Sequence, residues 1–187
     1  MRIVGGRLRG KKLMGPLDPK TRPTSDRARE ALFNILSALL LKEGRTWAQV
    51  SFLDVFAGTG AVGIEALSRG ARKVRLIENH PEALKVIRQN TAGLNGLQVS
   101  AVSALQPPLT TEPADVIFLD APYREELWEK ALFALRQNGW VTSSTLIVVE
   151  IEASEEGLLP GGFIKTDDRR YGRGRFLFCR LSETAAR

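Results

Sequence analysis

Apolar positions along the chain follow two alternating periods. Between Thr24 and Gly44, Leu32, Ile35, Leu36, Leu39 and Leu40 recur at helical spacing and form one stripe. Thr24 or Ser25 supplies the cap just after Pro23, Asp26 suits the positive helix end, and Gly44 supplies the stop. Arg27 and Arg29 fall in the first turns, off the apolar stripe. From about Val50 short apolar runs alternate with helical segments. The runs are Ser51–Val55, Lys73–Ile77, Leu97–Ala101, Asp115–Leu119 and Thr145–Glu150, and the helices are Gly60–Ser68, Pro81–Thr91 and Glu125–Arg136. Strands that alternate with helices predict a parallel sheet covered on both faces.

The two ends read differently. Residues 1–23 are punctuated by Gly5, Gly6, Gly10, Gly15, Pro16, Pro19 and Pro23, which predicts a short hairpin or extended arm. Near the other end, Phe163–Asp167 and Arg175–Leu181 flank Tyr171-Gly-Arg-Gly174 and predict an antiparallel hairpin. The expected fold class is therefore α/β and Rossmann-like. It has a mostly parallel seven-stranded sheet, a C-terminal antiparallel hairpin, and an N-terminal basic arm plus helix. One domain is expected, with residues 1–45 as arm and helix and 46–187 as core.

Charge adds a second pattern. Net charge is +6, but residues 1–30 carry +6, residues 165–180 carry +4 and the remainder carries −4. Basic flanks around a mildly acidic centre suit a phosphate backbone, although charge runs also serve simply as solvated surface. The chain has one cysteine, Cys179, and one histidine, His80. No intramolecular disulfide or zinc ligand set can be assembled from these, and a Ser-His-Asp site lacks its nucleophile elbow. The N-terminus lacks a signal peptide's apolar run, so a soluble, cytoplasmic protein is expected, with no demand beyond a monomer.

The chemistry-bearing segments stand where the strands end. Phe52-Leu-Asp54-Val-Phe56 runs into Ala57-Gly58-Thr59-Gly60-Ala-Val-Gly63. Glycines after a strand let the backbone approach a ligand, and the next helix points its N-terminus there. Read literally, this is the dinucleotide spacing, with Glu78 following the second strand, so a nicotinamide enzyme is a rival. Asp54 weighs against it, because a carboxylate there would face a pyrophosphate; a sulfonium and an α-amino group suit it better. Glu78 is expected to accept hydrogen bonds from two ribose hydroxyls. Downstream, Asp120-Ala121-Pro122-Tyr123 closes the apolar run Val116–Leu119.

Together these segments resemble the amino-methyltransferases, whose signature is [Asp/Asn/Ser]-Pro-Pro-[Tyr/Phe]. Arg2-Ile-Val-Gly-Gly-Arg-Leu-Arg-Gly-Lys-Lys-Leu13, then Arg22-Pro-Thr-Ser-Asp-Arg-Ala-Arg-Glu-Ala-Leu-Phe-Asn34, narrow the resemblance. They are similar to the bacterial RsmD family, which methylates guanine N2 in a 16S ribosomal RNA hairpin. The resemblance covers nearly the whole chain and implies a class I methyltransferase fold using S-adenosylmethionine, with S-adenosylhomocysteine as product and no metal. It implies cofactor contacts from Asp54, from the loop Phe56, Ala57, Gly58, Thr59 and Gly60, and from Glu78 and Asn79, with Ser103 and Ala104 at the adenine end. Asp120, Ala121, Pro122 and Tyr123 are then catalytic. Asp120 and a main-chain carbonyl would hold the amine in line with the methyl group, and Tyr123 would stack on a flipped base. Resemblance and charge together point to Arg2, Arg7, Arg9, Lys11, Lys12, Arg22 and Arg173 as contacts to 16S ribosomal RNA, free or in an assembling small subunit.

Two positions depart from the family pattern. Ala121 replaces the usual proline, which relaxes the backbone between Asp120 and Pro122. Ser103 replaces the usual acidic residue before Ala104. Other readings stay open: a DNA or protein amino-methyltransferase, whose target-recognition domain this length would not hold, and a catalytically inactive RNA-binding protein that keeps the cofactor fold.

Overall fold

A computed structural model describes residues 1–17, 24–122 and 127–185. Helix α1 spans Asp26–Lys42 and strand β1 Ser51–Val55. Then come α2 (Ala61–Ser68), β2 (Lys73–Ile77), α3 (Pro81–Thr91) and β3 (Leu97–Ser100). β4 (Val116–Leu119), α4 (Leu127–Gln137), β5 (Leu146–Glu152), β6 (Phe163–Tyr171) and β7 (Gly174–Leu181) follow. The seven strands form one sheet in the order β3-β2-β1-β4-β5-β7-β6. β3, β2, β1, β4 and β5 are mutually parallel, and β7 enters antiparallel between β5 and β6.

The central strands are buried on both faces, which is why they read as unbroken apolar runs. Alternate residues sort into two cores. Phe52, Val74, Val116, Phe118 and Val148 pack with α1, α2 and Ile87 of α3. Leu53, Ile77, Ile117, Leu119, Ile147 and Val149 pack instead with Trp128, Ala131, Leu132 and Leu135 of α4. Ser25 caps α1, its hydroxyl oxygen accepting from the Ala28 N–H at 3.2 Å, and Gly44 ends the segment at φ +68°. Among the described residues no helix is long and apolar enough to cross a membrane.

Residues 1–17 are neither a frayed end nor a full hairpin. Residues Arg2 and Lys12 form one antiparallel bridge across a 3-10 turn at Gly6–Leu8. Ile3 and Leu13 bury their side chains against Ala61 and Ile64 of α2. Ser68 at the end of α2 fastens the turn, accepting from the Leu8 N–H at 2.8 Å and donating to the Gly5 carbonyl at 2.5 Å. Gly6 is required here: its φ is +72°, and a Cβ would lie 2.0 Å from the Ser68 carbonyl oxygen.

Arg29 is not accounted for by the apolar stripe. It lies off that stripe, yet it is fully buried. Its guanidinium bonds the Thr24 carbonyl at 3.3 Å, Asp26 at 2.8 Å and the Arg2 carbonyl, and stands 3.8 Å from buried Glu65. Glu65 in turn accepts from the Val4 N–H and from Arg69, each at 2.9 Å. The Arg29 charge is an internal joint between arm, α1 and α2. Arg27, its neighbour in the same turn, is exposed.

Candidate active site

The parallel strands all end on one edge, and the strand order reverses between β1 and its neighbours β2 and β4. Ligands of open α/β sheets sit at such a switch point. A cavity of about 730 Å³ opens there. Its floor is the loop Phe56, Ala57, Gly58 and Thr59. Glu78, Asn79 and His80 from the end of β2, together with Ser103 and Ala104, form one side, and Asp120, Ala121 and Pro122 form the other. Tyr123 and Arg22 lie outside the described residues.

The loop holds strain where it meets the cavity. Phe56 has φ +61°, a left-handed conformation that costs a non-glycine residue on the order of 1–3 kcal/mol. It is fixed by the Ala57 N–H, which donates to the Ile77 carbonyl at 3.0 Å, and by the Gly60 N–H, which donates to the Ala57 carbonyl at 2.7 Å. Nothing in the sequence distinguishes this phenylalanine from a last strand residue.

The glycines divide their work. Gly58, at φ +54°, faces the cavity, and its N–H donates to Glu78 Oε2 at 2.8 Å. Gly60 and Gly63 are absent from the cavity wall and serve close packing: a Cβ would lie 2.8 Å from Ile87 at Gly60 and 2.6 Å from Leu76 at Gly63. Glu78 also accepts from the Asn79 and His80 N–H groups at 2.8 Å each. These three backbone donors take three of about four acceptor positions on the carboxylate. A ligand that offers two hydroxyls therefore has to share one of them.

Asp54 differs from the expectation that it faces the ligand. Its side chain lies beneath the loop, off the cavity wall, where Oδ2 accepts from the Gly63 N–H at 2.8 Å. It satisfies a first-turn donor of α2 that has no helical partner. Burial pushes its carboxyl up to about 8, opposed by the Gly63 bond and reinforced by the charge of Glu78. Ser103 accepts from the Leu105 N–H at 3.2 Å, so its hydroxyl closes its own turn while keeping a donor.

Three parts of the wall were not foreseen. Pro16 and Leu17 of the arm and Thr24 ahead of α1 border the cavity, carrying the basic N-terminal segment to its mouth. Arg2, Arg7, Arg9 and Lys12 are exposed on that segment, with Lys11 partly covered, and Arg173 is exposed in the turn between β6 and β7. Arg2 is shared with Asp26 at 3.6 Å. Leu105 and Val86 add apolar surface to the wall.

Burial also pushes the Asp120 carboxyl well above the ordinary range, and the charges of Glu150 and Asp54 add to the effect. Ala121 is buried beside it and Pro122 is exposed.

The family model described as conserved hypothetical protein 95 matches residues 1–180. Ribosomal RNA small subunit methyltransferase D of Escherichia coli K12 is 38% identical over 161 residues, 84% of this chain and 77% of that protein. This chain belongs to the RsmD family. The Haemophilus influenzae protein of the same name is 32% identical over 179 residues, covering 92% of this chain and 89% of its own length. Among solved structures, Escherichia coli yhhF superposes with a TM-score of 0.78 at 32% identity, over 98% of this chain and 99% of that one. In this RsmD-family member the cavity thus sits in a sheet shared from end to end with its relatives.

Proposed function

We propose that the chain transfers a methyl group from S-adenosylmethionine to the exocyclic N2 of a guanine in 16S ribosomal RNA. One observation carries the reading: a single cavity brings the glycine loop and Glu78 together with Asp120-Ala121-Pro122, in a chain 38% identical to a small-subunit RNA methyltransferase. The donor set suits the cofactor. Glu78 is held by three N–H groups as a hydroxyl acceptor, the Gly58 backbone approaches without a Cβ, and Val86, Ala104 and Leu105 offer an apolar slot for a flat ring. When bound, the sulfonium supplies an electrophilic methyl group.

The protein's own residues do the rest. An exocyclic amine is a poor nucleophile because its lone pair is shared with the ring. Asp120 accepts one of its N–H groups, orients the nitrogen and takes the proton that transfer releases. The Ala121 carbonyl is the second acceptor of the motif. The exposed arm residues Arg7, Arg9 and Lys12 hold phosphates while an unpaired base enters. No metal enters this scheme, and the arm, α1 and sheet act as one domain.

The test is transfer of labelled methyl to 16S ribosomal RNA, or small subunits, lacking native methylation, followed by nucleoside analysis. Labelled N2-methylguanosine that disappears with Asp120→Ala supports the reading. Cofactor binding without transfer to either substrate overturns it in favour of an inactive RNA binder, and Ala121→Pro then tests whether the missing ring is the cause.

A further inference from the structure

A second carboxylate stands beside Asp120. β4 and β5 are parallel, with Leu119 paired to Val149, so Asp120 and Glu150 are the next residues along both strands. The Asp120 N–H extends the ladder toward the Val55 carbonyl at 3.4 Å. Side chains alternate along a strand, so Asp120 continues the face of Phe118, Glu150 that of Val148 and Asp54 that of Phe52. All three acids lie on the α1 side of the sheet. Glu150 is only 8% exposed, and among the described residues no lysine or arginine pairs with it.

What it has instead is a hydroxyl. The Thr24 Oγ1–H donates to Glu150 Oε2 at 2.7 Å. Thr24 lines the cavity, and its carbonyl is held by Arg29. On the far side Glu150 pairs with Phe176 of β7, whose ring packs on Phe118 and Tyr171. The nearby Arg175 is committed to Asp168 and to the Glu155 carbonyl. A Cβ at Gly174 would stand 3.2 Å from Glu150 Oε1, so glycine there leaves the carboxyl its room.

We propose that Glu150 is a positioning residue for Asp120: the two acids share one proton where the end of β4 lies beside β5, and Thr24 sets which of them carries the charge. This rests on the methyl-transfer reading. Like charges at adjacent positions of neighbouring strands, both poorly hydrated, do not both ionise, and burial holds both carboxyls above their usual range. The Thr24 bond favours charge on Glu150, so in the free protein the proton rests on Asp120. An incoming amine offers N–H donors to Asp120 and draws the charge there, leaving the proton on Glu150. As the nitrogen forms its C–N bond, the electron pair of the breaking C–S bond returns to sulfur and one N–H proton passes to Asp120. The pair then holds two protons and returns one to water as product leaves. Glu150 thereby makes Asp120 a stronger base than an isolated aspartate.

Two readouts test this. Carboxyl carbon NMR of the free protein follows the titration of Asp120, and methyl transfer to 16S RNA follows kcat/KM against pH. In Glu150→Gln the Asp120 midpoint should fall by about one pH unit or more. The acid limb of kcat/KM should move the same way, with KM for RNA unchanged. Thr24→Val should shift both in that direction by less, and Glu150→Asp should restore them. Thermal unfolding verifies that each variant is folded. An Asp120 midpoint that is the same in wild type, Glu150→Gln and Thr24→Val overturns the pair. A shifted midpoint in a protein that transfers no methyl group keeps the pair and overturns the methyl-transfer reading alone.

Discussion

Arg29 Nε and Glu65 Oε2 lie 3.8 Å apart, and neither side chain has any solvent exposure. Removing one partner of a buried pair leaves the other charge poorly compensated, at a cost on the order of 3 kcal/mol when hydrogen bonds remain. Glu65→Gln is therefore expected to lower the unfolding free energy, measured by urea titration, by about 3 kcal/mol. It should also release the arm, because Glu65 holds the Val4 N–H. Amide exchange at Val4 should rise more than the global loss explains. Equal protection in both proteins would mean that the Arg2–Lys12 bridge and Ser68 hold the arm without Glu65.

The arm's exposed cations should act through counterion release. Replacing Arg7, Arg9 and Lys12 together by alanine should weaken RNA binding and reduce the slope of log K against log salt by about 2, near 0.7 per lost contact on a single strand. Filter binding at several salt concentrations measures it. Weaker binding with an unchanged slope would mean that these residues do not touch phosphates.

Asp120→Asn keeps the volume and one acceptor but cannot take a proton. Methyl transfer is expected to fall by about 10²–10⁴-fold, with cofactor affinity within a few-fold of wild type. Single-turnover transfer and calorimetry separate the two effects. Loss of cofactor binding on the same scale would move Asp120 into the cofactor contacts.

Asp54 makes stability depend on pH in a stated direction. Its folded carboxyl titrates near 8, above the 3.8 of an unperturbed aspartate, so folding favours the protonated form. That contribution is complete below pH 3.8 and is lost as pH rises through about 8. Asp54→Asn can still accept from Gly63, and it should lose less stability than wild type between pH 6 and 9. Parallel stability curves for the two proteins would show that Asp54 ionises without cost.

Much of this was legible because the sheet is buried on both faces. β1, β2 and α3 begin and end where the apolar runs and Pro81 placed them, and the tail hairpin lies where Tyr171-Gly-Arg-Gly174 put it. The cavity gathers Phe56 to Thr59, Glu78, Asn79, Ser103, Ala104 and Asp120 to Pro122 from four separate strand ends. The rest depended on contacts that no local pattern encodes. The apolar stripe leaves a polar residue beside it undecided between surface and interior, and the burial of Arg29 depends on Glu65, which no local spacing pairs with it. Charge complementarity alone turns Asp54 toward a ligand, but its geometry is decided by an unpaired helix donor. Local sequence gives Thr24 only the role of a cap, whereas its bond to Glu150 spans 126 positions.

The insertion of β7 between β5 and β6 bears on how the protein is made. β5 carries Glu150, and its outer edge stays unpaired until residues 174–181 arrive; β6 joins the sheet only through β7. During synthesis the strands from β1 to β5 emerge first and expose an apolar edge, the arrangement most prone to pair with a neighbouring chain. Closing that edge needs a segment made more than twenty residues later, so the outer side of the strand that carries Glu150 is covered last. A ribosome stalled before Gly174 would carry an open sheet, a target for chaperones and proteases, and not a smaller working enzyme.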